Sequence, residues 1–352
     1  MADVNIKDIA RICGVGVSTV SRAINNHPDI NPETKEMIMQ VIKEHNYIPN
    51  NSARNLKRTD SKAVAVLIKG ISNPFFGRMF PVLEEEIRRN KYDFIVQRVE
   101  AYQDEVDVAL ELVKEKKPRG IIFMGGYFSH SPEKLKQLTV PCVLCTSGTA
   151  DYQEEIPLYS FVSVDDREES CRMVRHLCSL GHQRILFLGA TADDESIGRL
   201  RLEGYEKALK EYGLEMDQKL CIFSEDPEAC YTMENGYAMM NRVLNEKRCD
   251  FTAVYAISDS IAIGACKAIF EHGFQIPETF SVAGFDGLDI AHFYNPSLTT
   301  MRQPVEEMAE AAITILFDII QNQAAPRKRI FEAELVKGDS TAERNVISVY
   351  NV

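Results

Sequence analysis

The chain has 352 residues, 45% of them hydrophobic and 26% charged, with a formal net charge of −12. That length divides into two or three ordinary domains with a sizeable core. No apolar run reaches the length of a membrane span, nine scattered cysteines argue against a disulfide framework, and the acidic total argues against nucleic-acid binding by the chain as a whole.

The N-terminal MADVNIKDIA has neither the basic start nor the apolar core of a signal peptide, so the cytoplasm is the expected location. The acidic total hides an asymmetry. Residues 1–58 carry eight Lys/Arg against six Asp/Glu, a net of +2, which leaves −14 for the remainder. Only the head is expected to meet a polyanion.

In NIKDIARICGVGVSTVSRAIN, Ile6, Ile9, Ala10 and Cys13 fall at i, i+3, i+4 and i+7, which predicts a short helix starting near Asn5. Gly14-Val15-Gly16 breaks it. Val17, Val20 and Ile24 predict a second helix, and Ile38, Val41 and Ile42 a third, entered through Asn31-Pro32-Glu33. A short glycine-containing turn between the first two is the mark of a helix-turn-helix, whose second helix enters the major groove. Its outward residues are Ser18, Ser21, Arg22 and Asn25, and Arg22 suits guanine O6/N7. Periodicity alone leaves a helical protein-binding module open.

The run from Ile6 to Arg58, through IKDIA, VSTVSRAIN, ETKE and NYIPN, resembles the DNA-binding headpiece of the lactose-repressor/galactose-repressor family. The resemblance implies phosphate contacts near Asn5, Gly16, Ser21 and Asn25, and base reading by Val17, Ser18 and Arg22. It moves Val17 from the core stripe to the groove, where a valine offers only apolar contact, as to a thymine methyl. It also makes NNSARNLKR a hinge helix too short to stand alone. There Leu56 is expected to wedge into a minor-groove step, with Asn50, Ala53, Arg54 and Lys57 beside the duplex.

From residue 61 short β-branched runs alternate with amphipathic helices. AVAVLIKG, FIVQRV, GIIFMGG, VPCVLCT, FVSVDD, RILFLGA, AVYAIS and SVAGFDG read as strands. Eight or more such strands predict two parallel sheets covered by helices, with ligand outside their carboxyl ends. Those ends supply Ser72 to Phe76, Gly126-Tyr127, Thr146-Ser147, Thr191, Ser258-Asp259 and Asp286, an aromatic and hydroxyl-rich set with few charges that suits a neutral polyhydroxylated ligand. Cys142 and Cys145 fall three apart on a strand and read as buried thiols, and Asp165-Asp166 as solvated or capping groups. No dinucleotide fingerprint, P-loop, nucleophile elbow or paired histidines appear, so no catalytic residue, metal site or cofactor is expected.

The resemblance continues through SNPFF, GHQRILFLG, GRLRLEGY, SDSIAIGA, GFDGLDIA and PSLTTMRQP, and implies the family's periplasmic-binding-protein-like core. By motif, Arg201 and Asp286 match its effector clamp and Phe75 and Phe76 its first-subdomain wall, with Ser258 where many members have asparagine. Tyr127, Phe161 and Thr191 complete the expected effector set. The expected division is a headpiece at 1–49, a hinge at 50–60 and a core at 61–340. Within the core, subdomain one is about 61–163 plus 300–330 and subdomain two about 164–299 plus 331–345, with 346–352 as a tail. That tail, lacking leucine heptads, implies a homodimer on a pseudo-palindromic operator. The function expected is that of a transcriptional regulator, a repressor controlled by a sugar. A purine effector, a carbohydrate-binding transport protein and a carbohydrate-modifying enzyme are the alternatives.

Overall fold

The structure is a computed structural model that describes residues 5–24, 27, 29–45, 61–126, 132–147, 159–247 and 250–344, in two compact units, 1–61 and 62–352. Asn25, Tyr127, the tail at 346–352 and the hinge residues Asn50, Ala53, Arg54, Leu56 and Lys57 lie outside the described residues.

The first unit holds α1 (Ile6–Ile12), α2 (Val17–Ile24) and α3 (Pro32–Glu44). Asn5 starts α1 by accepting the Lys7 amide at 2.9 Å and the Asp8 amide at 3.3 Å, while the Asp8 carboxylate accepts the Asn5 amide at 3.1 Å. That reciprocal box satisfies amides which a helix start leaves without partners. Gly14, at φ +65°, turns the chain between α1 and α2. Ile9, Val20, Ala23 and Ile38 are fully buried at the meeting of the three helices. Val17 is not among them. It is 41% exposed, because it opens α2 on the outer side of the Val20–Ala23 stripe, and Val15 from the turn packs inward instead. The periodic assignment of Val17 to the core is thereby corrected.

The second unit alternates strand and helix. Its first half runs β1 (Ala63–Lys69), α4 (Phe75–Arg89), β2 (Asp93–Val99), α5 (Glu105–Lys116), β3 (Gly120–Met124), α6 (Pro132–Leu135), β4 (Cys142–Cys145) and β5 (Ser160–Val164). Its second half runs α7 (Asp166–Ser179), β6 (Ile185–Leu188), α8 (Ile197–Glu211), β7 (Cys221–Ile222), α9 (Met233–Asn245), β8 (Ala253–Ala256), α10 (Asp259–Glu271), β9 (Ser281–Asp286), α11 (Asp289–Phe293) and β10 (Thr299–Arg302). α12 (Val305–Asn322) and β11 (Lys328–Phe331) then return to the first half, and β12 (Glu334–Val336) to the second.

The two six-stranded sheets have the orders β11-β5-β4-β3-β1-β2 and β12-β10-β9-β8-β6-β7, with β12 antiparallel to β10 and the other pairings parallel. β1, β3, β5, β8 and β9 are buried along their whole length apart from Lys69, as expected of parallel strands covered on both faces. The chain crosses between halves after β5, β10 and β11. β10 pairs with β9 through Thr299↔Ala283, so the boundary expected at residue 300 falls after Arg302 instead. Cys142 and Cys145 are free and buried in β4, and burial pushes each thiol up to about 12.

Glycine sets how closely α9 and α10 meet. A Cβ on Gly264 would stand 2.0 Å from the Met233 carbonyl oxygen, and one on Gly236 2.2 Å from that of Ile261. Gly264→Ala must therefore push two backbones apart. It is expected to cost about 1–3 kcal/mol, a fall of several degrees in melting temperature. An unchanged melting temperature would mean that the helices do not touch there.

Candidate functional site

At the carboxyl ends of the strands, between the two halves of the second unit, lies a cavity of about 970 Å³ counting its open mouth. Phe76 forms part of its wall, held edge-on to Phe75 with ring centroids 5.6 Å apart. The Phe75 ring is 3% exposed and lies outside the cavity wall, so of the expected aromatic pair only Phe76 faces the cavity. Asn73 accepts the Phe75 amide at 3.0 Å and so shapes the turn into α4. Gly125 and Gly126 pass at φ +69° and +104° where side chains would collide, a Cβ on the first standing 2.7 Å from the Lys69 carbonyl oxygen and on the second 2.7 Å from Glu105 Oε1.

Thr191, expected from the end of β6, lines the second half of the cavity beside Asp194, Ser196 and Tyr231. The wall is more charged than the strand ends suggested. It includes Lys69, Arg98, Glu100, Asp194 and Glu228. Two of these charges are matched within the protein: Lys69 Nζ donates to Glu105 Oε2 at 3.2 Å and to the Gln103 carbonyl at 2.8 Å, and Arg98 meets Glu100 at 2.8 Å. Asp194 belongs to a turn that a reading of strand ends passes over.

Arg201, Ser258 and Asp286 lie off the cavity wall. Arg201 is 1% exposed. Its guanidinium donates to Asp166 Oδ1 at 2.8 and 2.9 Å and to the Ile257 carbonyl at 2.5 Å, and stacks 3.7 Å from the Phe285 ring centroid. Asp286 accepts from Arg201 at 3.4 Å and from Gln303 at 2.9 Å, while its Oδ2 has no hydrogen-bond partner among the described residues. Burial raises the Asp286 carboxyl to about 6, with Arg201 and Gln303 opposing. Burial also raises Asp166, again against Arg201. Burial opposes the charge on Arg201, yet Asp166 and Asp286 outweigh it and leave its pKa above the ordinary value. Asp286 has φ +114°, a conformation that aspartate rarely adopts and that the packing around it must hold.

Ser258 is fully buried and its hydroxyl accepts the Ile261 amide at 3.3 Å, so the expected ligand hydroxyl serves as the cap of α10. Phe161 borders a second cavity with Ser147, Asp165, Asp166 and Lys328. Asp165 caps α7 by accepting the Glu168 amide at 3.0 Å, as read from the sequence. Asp166 does not fit that reading: it is 3% exposed and is the main partner of Arg201. Arg78 on α4 is held within the first half by Glu306 at 2.8–3.1 Å and donates across to the Gly287 carbonyl of the second half at 3.3 Å.

In the first unit, Gly16, Val17, Ser18 and Arg22 are exposed on or before α2, and Ser21 is half-buried. They form one surface of short polar groups, one apolar group and one long cation. Residues 5–50 match the bacterial regulatory proteins of the lacI family, and residues 174–341 a periplasmic binding protein-like domain. The HTH-type transcriptional regulator MalR of Clostridium butyricum is 41% identical over 339 residues, 96% of this chain and 98% of that one. The chain belongs to the lacI family. This lacI-family member is a DNA-binding transcriptional regulator, with the helix-turn-helix unit and the two-sheet unit as its parts.

The HTH-type transcriptional repressor PurR of Mannheimia succiniciproducens is 31% identical over 92% of this chain and 94% of its own. Among solved structures, a CelR–cellobiose complex is 25% identical with a TM-score of 0.69, covering 96% of this chain and 99% of that one. The lac repressor dimer bound to operator and an anti-inducer has a TM-score of 0.71 at 24% identity, covering 97% and 100%, a likeness of fold. Among the described residues no helix of this regulator is long and apolar enough to cross a membrane.

Proposed function

We propose that this regulator is a cytoplasmic repressor whose hold on DNA is set by a neutral carbohydrate bound in the cavity between the two halves of its core. The observation that carries the effector class is the wall itself. The Phe76 ring offers an apolar face for the C–H side of a sugar, among the hydroxyls of Ser72, Thr146, Thr191 and Ser196, with Lys69 and Arg98 already matched by protein carboxylates.

On the DNA side, a homodimer meets a pseudo-palindromic operator, each α2 presenting Val17, Ser18 and Arg22 to base edges and Asn5, Gly16, Ser21 and Asn25 to phosphates. The hinge at 50–60 orders on the duplex, with Leu56 as a minor-groove wedge and Asn50, Ala53, Arg54 and Lys57 beside it. Effector shifts the balance between two arrangements of the core by binding one more tightly than the other.

The relatedness to PurR favours a second reading, in which the cavity takes a purine. A thermal-shift series on the whole chain with glucose, maltose, cellobiose, hypoxanthine and guanine separates the two, since a ligand of the native state raises the melting temperature. A rise with a neutral saccharide is the expected result. A rise with a purine alone overturns the carbohydrate assignment and leaves the regulator intact.

A further inference from the structure

At each passage of the chain between the halves of the core, a single residue separates what is fixed to one half from what is fixed to the other. β5 ends at Val164 and α7 begins at Asp166, with Asp165 between them. β10 ends at Arg302, and Gln303 stays with the second half: its amide donates to the Asp286 carbonyl at 3.2 Å and its Nε2 to Asp286 Oδ1 at 2.9 Å. Pro304 then leads into α12. β11 ends at Phe331, the register partner of Val164, so Asp165 and Glu332 leave the first sheet side by side.

Asp165 at φ −82°, ψ 86° and Pro304 at φ −79°, ψ 72° lie close to the inverse γ-turn, a sharp bend common at strand ends. The Val305 amide closes that turn about Pro304 by donating to the Gln303 carbonyl at 2.9 Å. Residues that absorb the rotation of one domain against another are of this kind, few in number and placed at the ends of elements.

The third passage carries a further device. Ala333 is 4% exposed, and its amide and its carbonyl are both held by side chains of α7. Glu169 Oε1 accepts the Ala333 amide at 3.1 Å, Arg172 donates to the Ala333 carbonyl at 3.0 Å, and Arg172 Nη1 joins Glu169 Oε2 at 2.5 Å. Glu169 is 3% exposed, and burial raises its carboxyl, with the Ala333 amide and Arg172 opposing. A carboxylate so placed is tolerated when it has such partners. Here the partners fasten the crossover to the second half two residues beyond the last residue of β11.

We infer that Asp165, Pro304 and Glu332 are the joints about which the halves turn, and that the Glu169–Arg172 pair is a positioning device that binds Ala333 into the second half and so sets the balance between arrangements of the core. The inference goes beyond the effector class and rests on the reading that DNA binding follows that balance. Releasing Ala333 lengthens the third joint from one residue to two, which widens the rotations open to the core and alters its hold on DNA with the headpiece unchanged.

The test measures hydrogen exchange at the Ala333 amide, and affinity for a footprinted operator, in the full chain and in Glu169→Ala, Glu169→Gln and Arg172→Met. Glutamine keeps an oxygen for the amide and alanine keeps none. Exchange at Ala333 is expected to be at least about tenfold faster in Glu169→Ala and little changed in Glu169→Gln. Operator affinity without ligand is expected to shift at least about fivefold in Glu169→Ala and Arg172→Met, and less than about twofold in Glu169→Gln. Should Glu169→Ala fail to fold, Arg172→Met, altered at a side chain 38% exposed, decides on operator affinity. Exchange as slow in Glu169→Ala as in the wild type overturns the fastening of Ala333. Faster exchange with operator affinity within about twofold of wild type overturns its control of DNA binding. In that event a wild-type operator affinity that responds to glucose, maltose or cellobiose leaves the effector reading standing, and one that responds to none of them overturns that reading as well.

Discussion

Arg201→Ala is expected to lower the stability of the core by about 3–5 kcal/mol at pH 8, and by much less near pH 5. The large loss at high pH comes from what remains: Asp166 and Asp286, 3% and 2% exposed, stripped of the cation that Asp166 meets at 2.8 Å and Asp286 at 3.4 Å. The pH dependence follows from the direction of their pKa values. In the wild type Asp286 is raised from 3.8 to about 6 and Asp166 is raised as well, each against the opposing charge of Arg201. Such groups favour the folded state fully below their unfolded pKa, and that contribution is lost as pH rises through the folded value. Removing Arg201 raises both folded values further, so the variant regains stability as the pH falls and the carboxyls take up protons. Denaturant unfolding at pH 8 and pH 5.5 checks this. An equal loss at both values would assign the cost to packing against Phe285 rather than to charge.

Arg22→Ala is expected to weaken operator binding by roughly tenfold to a hundredfold and to relax preference at one base pair, leaving the melting temperature unchanged. Arg22 is exposed on α2, so truncation opens no cavity in the Ile9, Val20, Ala23 and Ile38 core. Arg22→Lys keeps the charge and loses the two-pronged hydrogen bonding, so it is expected to recover little of the preference. Anisotropy titrations on a footprinted site and on single-base variants distinguish reading from attraction. A loss uniform across sequences, with one fewer ion in the salt dependence, would make Arg22 a phosphate contact.

Much of the fold was legible because its signals are local. The largely apolar runs of β1, β3 and β9 and the Asn5 and Asn31 helix starts are written in a few adjacent residues. β11 and β12 were passed over because KRIF and ELV are short, partly exposed and charged, and become strands only by pairing with β5 and β10. Val17 shows the reach of periodicity: a first helical residue satisfies the apolar spacing whether it points in or out, and only the family resemblance moved it to the surface.

The site was harder to read than the fold. Phe76 and Thr191 stand on the cavity wall as the strand ends implied, whereas Phe75 packs behind and Ser258 is taken up as a cap. Asp166 was missed because two adjacent aspartates before a helix look like caps, and one of them is; its partner Arg201 lies 35 residues away. Asp194 was missed because TADDES has the composition of a solvated turn.

The central claim is that one chain both reads DNA and has that reading set by a small molecule in its core. The most direct measurement is the affinity of the full chain for its footprinted operator, at fixed salt, with and without the saccharide that raises its melting temperature. The account predicts specific binding to a pseudo-palindromic site and a change of about 5- to 150-fold on adding that saccharide. Specific binding that the saccharide leaves unaltered, at concentrations that saturate the core, would contradict it.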